Sequence, residues 1–283
     1  MSTITSSFMA RSIDPNKVAE ILRECADKYI IPRFGTLADD EVFTKSGPND
    51  LVTVADQETE AALEQILPTL ISGSVVVGEE GVSAGRVDVG LLNDPSQTIW
   101  VVDPVDGTYN FRHGHKEFGM LIALVTGGEV IKSWIYDIPQ DRIFIAEKGA
   151  GTFLDGQKQQ VAQDRALNEV TGFVYAERLF PSLADFKKDI KEIKSLRCSA
   201  HEYIQIIEGK ADFSVSNHSK SWDHLAAALA VREAGGVSKM WTGTDYGPAS
   251  HGKKLIAASD DTLWQTVYNR MVRDVHLKQA PKP

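Results

Sequence analysis

The sequence predicts an α/β fold of the mixed α+β kind, in which an α+β half precedes an α/β half. Three observations favour this fold. Apolar β-type segments separated by glycine and proline turns occupy residues 99–147, and beyond residue 165 apolar segments alternate with helical ones. The 283 residues are also enough to bury a substantial core, as one large domain or two smaller ones.

The first part of the chain predicts two amphipathic helices and a short strand. Asp14 and Pro15 are typical of a helix start, apolar residues follow at helical spacing, and Pro32 ends the run. A second amphipathic helix begins at Asp56. The β-branched run at 75–77 then predicts a strand that leads directly into an acidic pair.

The middle of the chain predicts a meander of strands. Residues 99–102 form the opening strand, and turns with glycine pairs or proline connect the next ones, at 120–125, 130–136 and 143–147. Glycines then punctuate the sequence, so we expect a boundary at about 150–165. This boundary divides the chain into subdomains 1–155 and 156–283.

The second half predicts alternating strands and helices. The helix that begins at Trp222 ends at Ala234, before two glycines that are typical of a helix C-terminus. The expected elements are strands at 170–176, 213–215 and 255–258, and helices at 183–191, 203–208, 222–234 and 261–272.

The composition excludes several function classes. There are 30 Lys and Arg against 39 Asp and Glu, and the resulting net charge of −9 disfavours a nucleic-acid surface. Every apolar stretch falls far short of the roughly 20 residues of a membrane-spanning helix. We expect a cytoplasmic protein, because the first residues lack a signal-peptide pattern and the two cysteines do not make a disulfide scaffold.

Four acidic clusters each have an ordinary structural explanation, and all but the fourth, Asp50 with Asp56, stand where an apolar segment begins or ends. Gly-Glu-Glu at 78–80 is usually a solvated turn, and Asp103 with Asp106 suits a turn. Asp223 suits the first turn of a helix, and Asp56 suits an N-cap. Their combination favours a site for Mg²⁺, which prefers oxygen ligands, and the scattered histidines give no zinc pattern.

The segment from Asp103 to Asp106 has a specific use in such a site. It places two carboxylates three residues apart, with an extended turn containing Pro104 between them. Two adjacent metal ions can then share these carboxylates, and the carbonyl oxygen of Val105 is a further ligand.

The order of the acidic motifs resembles a known family. The motifs are Asp50-Leu51-Val52-Thr53-x-x-Asp56 with Lys45 upstream, Gly78-Glu79-Glu80, Asp103-Pro104-Val105-Asp106-Gly107-Thr108-x-Asn110-Phe111, and the segment from Trp222-Asp223 to Gly235-Gly236. Together they resemble the signature set of the inositol monophosphatase family, within the lithium-sensitive, metal-dependent phosphatase superfamily. Four ordered motifs are far more specific than any one of them.

The resemblance implies a layered αβαβα sandwich of the inositol monophosphatase and fructose-1,6-bisphosphatase type, usually a homodimer. Subdomain 1–155 would carry most metal ligands, and subdomain 156–283 would contribute Asp223 and the substrate pocket. Two Mg²⁺ ions are implied, and a third, weaker one near Glu79. The implied metal ligands are Glu79, Asp103, the Val105 carbonyl, Asp106 and Asp223.

The resemblance also implies the catalytic roles. Thr108 with Glu79 would orient and activate the attacking water, while Asp56 and Lys45 would belong to the surrounding water network. The backbone amides of Gly107 and Thr108 would cradle the phosphate. A pair of metal ions roughly 3.5–4 Å apart can support attack by water directly, so we expect no covalent intermediate.

The implied substrate is a small polyol or sugar phosphate similar to inositol 1-phosphate, held by Ser199, Ser216 and Asp223 as well as by the phosphate cradle. Two departures leave its identity open. Arg197 takes the place of a glycine in the family's Gly-Ser/Thr-Ala-Ala stretch, and Ser216 takes the place of an acidic residue. Histidinol phosphate, fructose 1,6-bisphosphate and 3'-phosphonucleotides are alternative substrates, and a non-catalytic binding protein is an alternative of another class.

Overall fold

The described residues form two large β-sheets, a separate two-stranded sheet and three layers of helices. The structure is a computed structural model and describes residues 9–37, 41–44 and 51–279. Lys45, one of the predicted catalytic residues, lies outside the described residues. No helix among the described residues is long and apolar enough to cross a membrane.

The larger sheet has seven strands, and neighbours in the chain are neighbours in the sheet. The first two strands are parallel and every later pair is antiparallel, which confirms the predicted meander. Its strands are β3 (Val75–Gly78), β4 (Thr98–Asp106), β5 (Gly119–Thr126), β6 (Glu129–Asp137), β7 (Arg142–Glu147), β8 (Gly151–Leu154) and β9 (Gln157–Lys158), and a separate pair is formed by β1 (Val42–Thr44) and β2 (Leu51–Thr53).

The second sheet has five strands in the order β11-β10-β12-β14-β13. Its first three strands are parallel, and β14 runs antiparallel to both of its neighbours. The strands are β10 (Thr171–Val174), β11 (Glu192–Lys194), β12 (Phe213–Ser216), β13 (Val237–Met240) and β14 (Leu255–Ala258).

The α-helices pack on the faces of these sheets. They are α1 (Pro15–Cys25), α2 (Val54–Leu70), α3 (Glu79–Ser83), α4 (Thr108–Arg112), α5 (Leu183–Phe186), α6 (Ser199–Ile207), α7 (Ser221–Glu233), α8 (Asp261–Val267) and α9 (Arg273–Gln279). A π-helical turn, Ala26–Ile30, continues α1, and another, Tyr268–Val272, connects α8 with α9.

Three apolar clusters hold the layers together and confirm the αβαβα sandwich. Leu22 of α1 and Leu63 of α2 pack on one face of the seven-stranded sheet. On the other face lie α6 and α7, whose apolar residues also contact the five-stranded sheet. The helices near the C-terminus, including Trp264, cover the outer face of that second sheet. The boundary between subdomains at residues 155 and 156 stays a prediction.

The predicted helix at 183–191 is wrong beyond Phe186. After this residue the chain turns, and the backbone amide of Lys191 donates to the carbonyl of Val170, which leads into strand β11 beside β10. Strands β11 and β13 were not predicted, because both are short and carry charged side chains.

Candidate active site

A cleft of about 720 Å³ lies where β3 and β4 end and where α7 begins. It contains most of the residues that the sequence singles out. The predicted residues that line it are Glu79, Asp103, Val105, Asp106, Gly107, Thr108, Ser199, Ser216 and Asp223, together with Arg197.

Three carboxylates meet at the bottom of this cleft. One oxygen of Glu79, one of Asp103 and one of Asp223 all lie within 4.8 Å of one another. Parallel pairing of β3 with β4 sets Gly78 opposite Val102, so the next residues, Glu79 and Asp103, come side by side. Asp223 arrives in the first turn of α7. We call Glu79, Asp103 and Asp223 the carboxylate triad.

The chemistry of the triad fits a cation. Asp103 is buried, and its Oδ1 atom has no hydrogen-bond partner among the described residues. Burial raises the pKa of Asp103 well above its usual range, and the negative charges of Glu79, Asp106 and Asp223 raise it further. A divalent cation bound to these oxygens would offset the repulsion, and oxygen ligands of this kind suit Mg²⁺.

A bulge in β4 directs Asp103 and Asp106 to the same side of the sheet. Residues three apart on a regular strand face opposite ways. Here Asp103 pairs with Leu121 and Asp106 with Gly119, so β4 carries one extra residue between them. Pro104 falls inside this bulge, where the missing N–H is tolerated. The two carboxylates are therefore separated by a bulged strand, not by the turn that the sequence predicts.

Asp106 is held differently from the triad. Its Oδ2 accepts hydrogen bonds from the backbone N–H of Ala200, at 2.5 Å, and from the thiol of Cys198, at 3.2 Å. Burial raises the pKa of Asp106, although these donors lower it. The group of possible metal ligands found among the described residues contains the triad and does not include Asp106.

A hydrogen-bonded chain connects α2 with the cleft. The hydroxyl of Thr108 lies 2.9 Å from the carbonyl oxygen of Val105 and 3.3 Å from Oδ1 of Asp56. The other oxygen of Asp56 accepts from the backbone N–H and the hydroxyl of Thr53, which caps α2. The alternative in which Asp56 is itself the N-cap is therefore wrong, since Asp56 is the third residue of the helix.

Gly107 is required by the backbone between β4 and α4. Its φ of +85° lies in the left-handed region, and a Cβ atom there would stand 2.7 Å from the carbonyl oxygen of Glu117. The turn brings Thr108 to the first position of α4, beside the triad.

Sequence reasoning missed one residue that contacts Glu79 and one that holds the backbone directly after it. Nζ of Lys220 lies 3.1 Å from Oε1 of Glu79. Glu60, buried in α2, accepts hydrogen bonds from the backbone amides of Glu80, at 2.8 Å, and Gly81, at 2.5 Å. Burial raises the pKa of Glu60 to about 7, although these two amides lower it. No local pattern in the sequence sets either residue apart, because both make these contacts through tertiary structure.

The opposite side of the cleft contains the residues predicted to hold the substrate. Ser199 begins α6 and Ser216 ends β12. Arg197 is exposed and lies over the ring of Tyr109, with 4.4 Å between the guanidinium carbon and the ring centre. Glu202 of α6 also lines this side and was not singled out in the sequence.

Known proteins of one family match most of the chain. The family model described as "Inositol monophosphatase family" matches residues 15–277. Inositol monophosphatase 1 of Mus musculus is 31% identical over 233 residues, which cover 79% of this chain and 82% of that protein. The Thermotoga maritima IMPase TM1415 has the same fold, with a TM-score of 0.79 at 24% identity, covering 93% of this chain and 98% of that one. An IMPase/NADP phosphatase complexed with Mg²⁺ and phosphate gives a TM-score of 0.77 at 18% identity, covering 90% and 93%.

Proposed function

The chain belongs to the inositol monophosphatase family, and we propose that this phosphatase is a Mg²⁺-dependent phosphomonoesterase acting on a small polyol or sugar phosphate. Its membership confirms the resemblance drawn from the sequence motifs. The observation that carries the proposal is the carboxylate triad with its unpartnered buried oxygen on Asp103. The family is metal-dependent, and one structure of similar fold contains Mg²⁺ and phosphate.

The triad would hold the metal ions together with the Val105 carbonyl and Asp106. We propose two ions, with a third as an optional one near Glu79. Asp106 keeps acceptor capacity for this role, because an ionised carboxylate offers about four lone-pair sites and the donors from α6 occupy one oxygen. When bound, the metal ions would supply positive charge to the phosphoryl oxygens and the leaving oxygen, and would lower the pKa of water.

Thr108, Glu79 and Asp56 position the attacking water in this proposal. The hydroxyl proton of Thr108 is directed to Asp56 or to the Val105 carbonyl, so its oxygen retains a lone pair for a hydrogen bond from water. Thr53 fixes Asp56 in turn. Water then attacks phosphorus directly, the bond to the leaving oxygen breaks, and no side chain becomes covalently attached.

The remaining proposals concern the phosphate, the leaving group, the cellular compartment and the oligomeric state. The backbone amides of Gly107 and Thr108 would contact the phosphate, while Ser199 and Ser216 would face the leaving group with Asp223. We propose that the protein works in the cytoplasm, where its unpaired cysteines Cys25 and Cys198 stay reduced. We also propose that it forms a homodimer, as the resemblance implies.

Release of phosphate from a panel of substrates tests the proposal. The panel contains inositol 1-phosphate, fructose 1,6-bisphosphate, histidinol phosphate and 3'-phosphoadenosine 5'-phosphate, each with and without Mg²⁺. We expect Mg²⁺-dependent turnover that Li⁺ inhibits. We also expect a higher kcat/KM for inositol 1-phosphate than for the other substrates. No release from any substrate would favour the non-catalytic alternative.

A variant locates the activity in the cleft. Asp103→Asn removes one charge of the triad while nearly preserving the shape of the side chain, so we expect Mg²⁺-dependent turnover to be lost. The matched control is Asp185→Asn, at an exposed aspartate paired with Lys188 outside the cleft. Full turnover by Asp103→Asn would refute the proposed role of the triad.

A further inference from the structure

We propose that Glu202 binds hydroxyl groups of the polyol that carries the phosphate. The inference rests on the proposed function and adds to it the residue that selects a hydroxylated leaving group. Glu202 belongs to α6 and lines the cleft beside Ser214 of β12.

The side chain of Glu202 is held by few contacts. Only 8% of the residue is exposed, and it lines the cleft. One carboxylate oxygen accepts the backbone N–H of Leu196 at 2.9 Å. The other oxygen lies 3.4 Å from the hydroxyl of Ser214, which is a long contact for O–H···O. Carboxylate oxygens can each accept more than one hydrogen bond, so Glu202 has unused acceptor capacity.

No cation compensates this carboxylate within the described part of the chain, where the ion pairs nearest in sequence involve His201 and Glu208 instead. Burial raises the pKa of Glu202 to about 8, and the N–H of Leu196 only partly lowers it. A buried acidic group without a charged partner is costly unless donors satisfy it. A ligand that brings hydrogen-bond donors into the cleft would remove this cost.

The neighbouring groups favour neutral hydroxyls as those donors. Asn217 lines the same cleft, and its Oδ1 atom is buried without a hydrogen-bond partner among the described residues. Ser214 and Ser216 add hydroxyls that both donate and accept. Several hydroxyls on one ring can satisfy acceptors and donors together.

The test compares two phosphate esters that differ in their hydroxyls. Myo-inositol 1-phosphate carries ring hydroxyls, and cyclohexyl phosphate lacks them. At about pH 9, where Glu202 is ionised, we expect Glu202→Gln to lower kcat/KM with myo-inositol 1-phosphate by about tenfold or more, since hydrogen bonds to charged groups are the stronger ones. The loss should lie mainly in KM, and kcat/KM with cyclohexyl phosphate should stay within about twofold of the wild type.

A control variant and a stability measurement make the result decisive. Glu208→Gln changes a glutamate at the end of the same helix that pairs with Arg142 and Lys210 outside the cleft, so it should affect neither substrate. Glutamine at 202 can still accept from Leu196, and thermal unfolding should confirm a folded variant.

The outcomes separate this inference from the proposed function. No Mg²⁺-dependent hydrolysis of either ester by the wild type would refute the proposed function itself. Wild-type hydrolysis of cyclohexyl phosphate with no preference for the inositol ester would overturn the inference and leave the phosphatase proposal intact. An equal loss on both esters in Glu202→Gln would also overturn it. A larger loss of kcat/KM in Glu202→Gln with O-phosphoethanolamine than with the inositol ester would show that Glu202 binds an ammonium group, and would overturn the inference.

Discussion

The two sides of the cleft differ in how they are built. The side with the carboxylate triad is fixed by strand pairing, since β3 and β4 are neighbours and α7 packs across the same sheet. The side that we propose to face the leaving group comes from the loop before α6 and from the end of β12. Side-chain hydrogen bonds hold that loop: Nδ2 of Asn110 donates to the carbonyl of Leu196 at 2.8 Å, and Glu202 accepts the N–H of the same residue.

From this difference we infer that the proposed phosphate cleavage and the proposed substrate choice depend on different parts of the structure. The triad concentrates negative charge that only a cation or protons can offset. The other side contains hydroxyls, an amide, a carboxylate and an exposed arginine, which can change without disturbing the sheet. Variants of the two sides should therefore give different kinetic signatures.

The largest effect is expected for Asp223→Asn. This change removes the triad member that comes from the second half of the chain, and several kcal/mol of charge stabilisation would be lost with the cation. We expect kcat/KM to fall about a thousandfold for every phosphate ester. Steady-state phosphate release measures it, and a fall confined to one ester would show that Asp223 contacts only the leaving group and holds no metal ion.

The next largest effect is expected for Thr108→Val, which keeps the size of the side chain and removes its hydroxyl. Because this hydroxyl bonds to Asp56 and the Val105 carbonyl, we expect kcat to fall by about a hundredfold. KM should change little. Thr108→Ser, which retains the hydroxyl, should recover most of the activity in the same assay. Equal losses in both variants would exclude a role for the hydroxyl.

Glu60→Gln should weaken Mg²⁺ binding at the triad indirectly, through the backbone next to Glu79. Glu60 positions the backbone that carries Glu79 and contacts no substrate-side residue in the described hydrogen bonds. Changes in groups that orient metal ligands typically cost tenfold or more in metal affinity. We expect the Mg²⁺ concentration for half-maximal activity to rise about tenfold, with the maximal rate nearly restored at saturating Mg²⁺. An unchanged Mg²⁺ dependence would show that Glu60 does not position Glu79.

Stability should depend on Mg²⁺ and pH together. The pKa of Asp103 is raised in the folded state, so the metal-free protein binds more protons folded than unfolded as pH rises above about 4. The contribution of Asp103 to the free energy of unfolding therefore falls with rising pH. A bound cation offsets the cost of burying the Asp103 charge. We expect Mg²⁺ to raise the melting temperature more at about pH 8 than at about pH 5, by about 2–4 °C for each kcal/mol. Differential scanning fluorimetry measures the shift, and a smaller shift at the higher pH would contradict the account.

The smallest effect is expected for Arg197→Ala. Arg197 is exposed and its described contact is with the ring of Tyr109. Exposed contacts of this kind contribute about 0.5–1 kcal/mol, and their loss would leave the ring of Tyr109, which lines the cleft, less well held, so KM should rise by at most about threefold, with kcat unchanged. Progress curves over a range of substrate concentrations separate the two constants. A hundredfold rise in KM would show that Arg197 binds a second anionic group, as in a bisphosphate.

The sequence allowed the side with the carboxylate triad to be predicted because each of its residues falls in a short motif that is continuous along the chain. Strand β4, Gly107 and Thr108 follow one another, and the residue types at Asp103 and Asp106 have few other uses after a buried strand. The layered fold followed from the same motifs. The bulge was not foreseen, because its effect on side-chain direction depends on pairing with β5.

The other side could not be predicted from local patterns. Glu202 looks like an ordinary helix residue, and only the packing of α6 beside β12 brings it to the cleft. Glu60 and Lys220 likewise acquire their contacts with the loop around Glu79 through tertiary structure. Helix α5 ends at Phe186 because the chain then forms β11 beside β10. The charged residues of β11 do not indicate a strand.

The separation of the two sides is tested most directly by one kinetic comparison. It measures kcat/KM for myo-inositol 1-phosphate and for cyclohexyl phosphate in the wild type, Asp103→Asn and Glu202→Gln, with enough enzyme to follow the slowest variant. We predict that Asp103→Asn lowers both values by the same factor, whereas Glu202→Gln lowers only the first. A change in the ratio of the two values in Asp103→Asn, with a constant ratio in Glu202→Gln, would contradict the account.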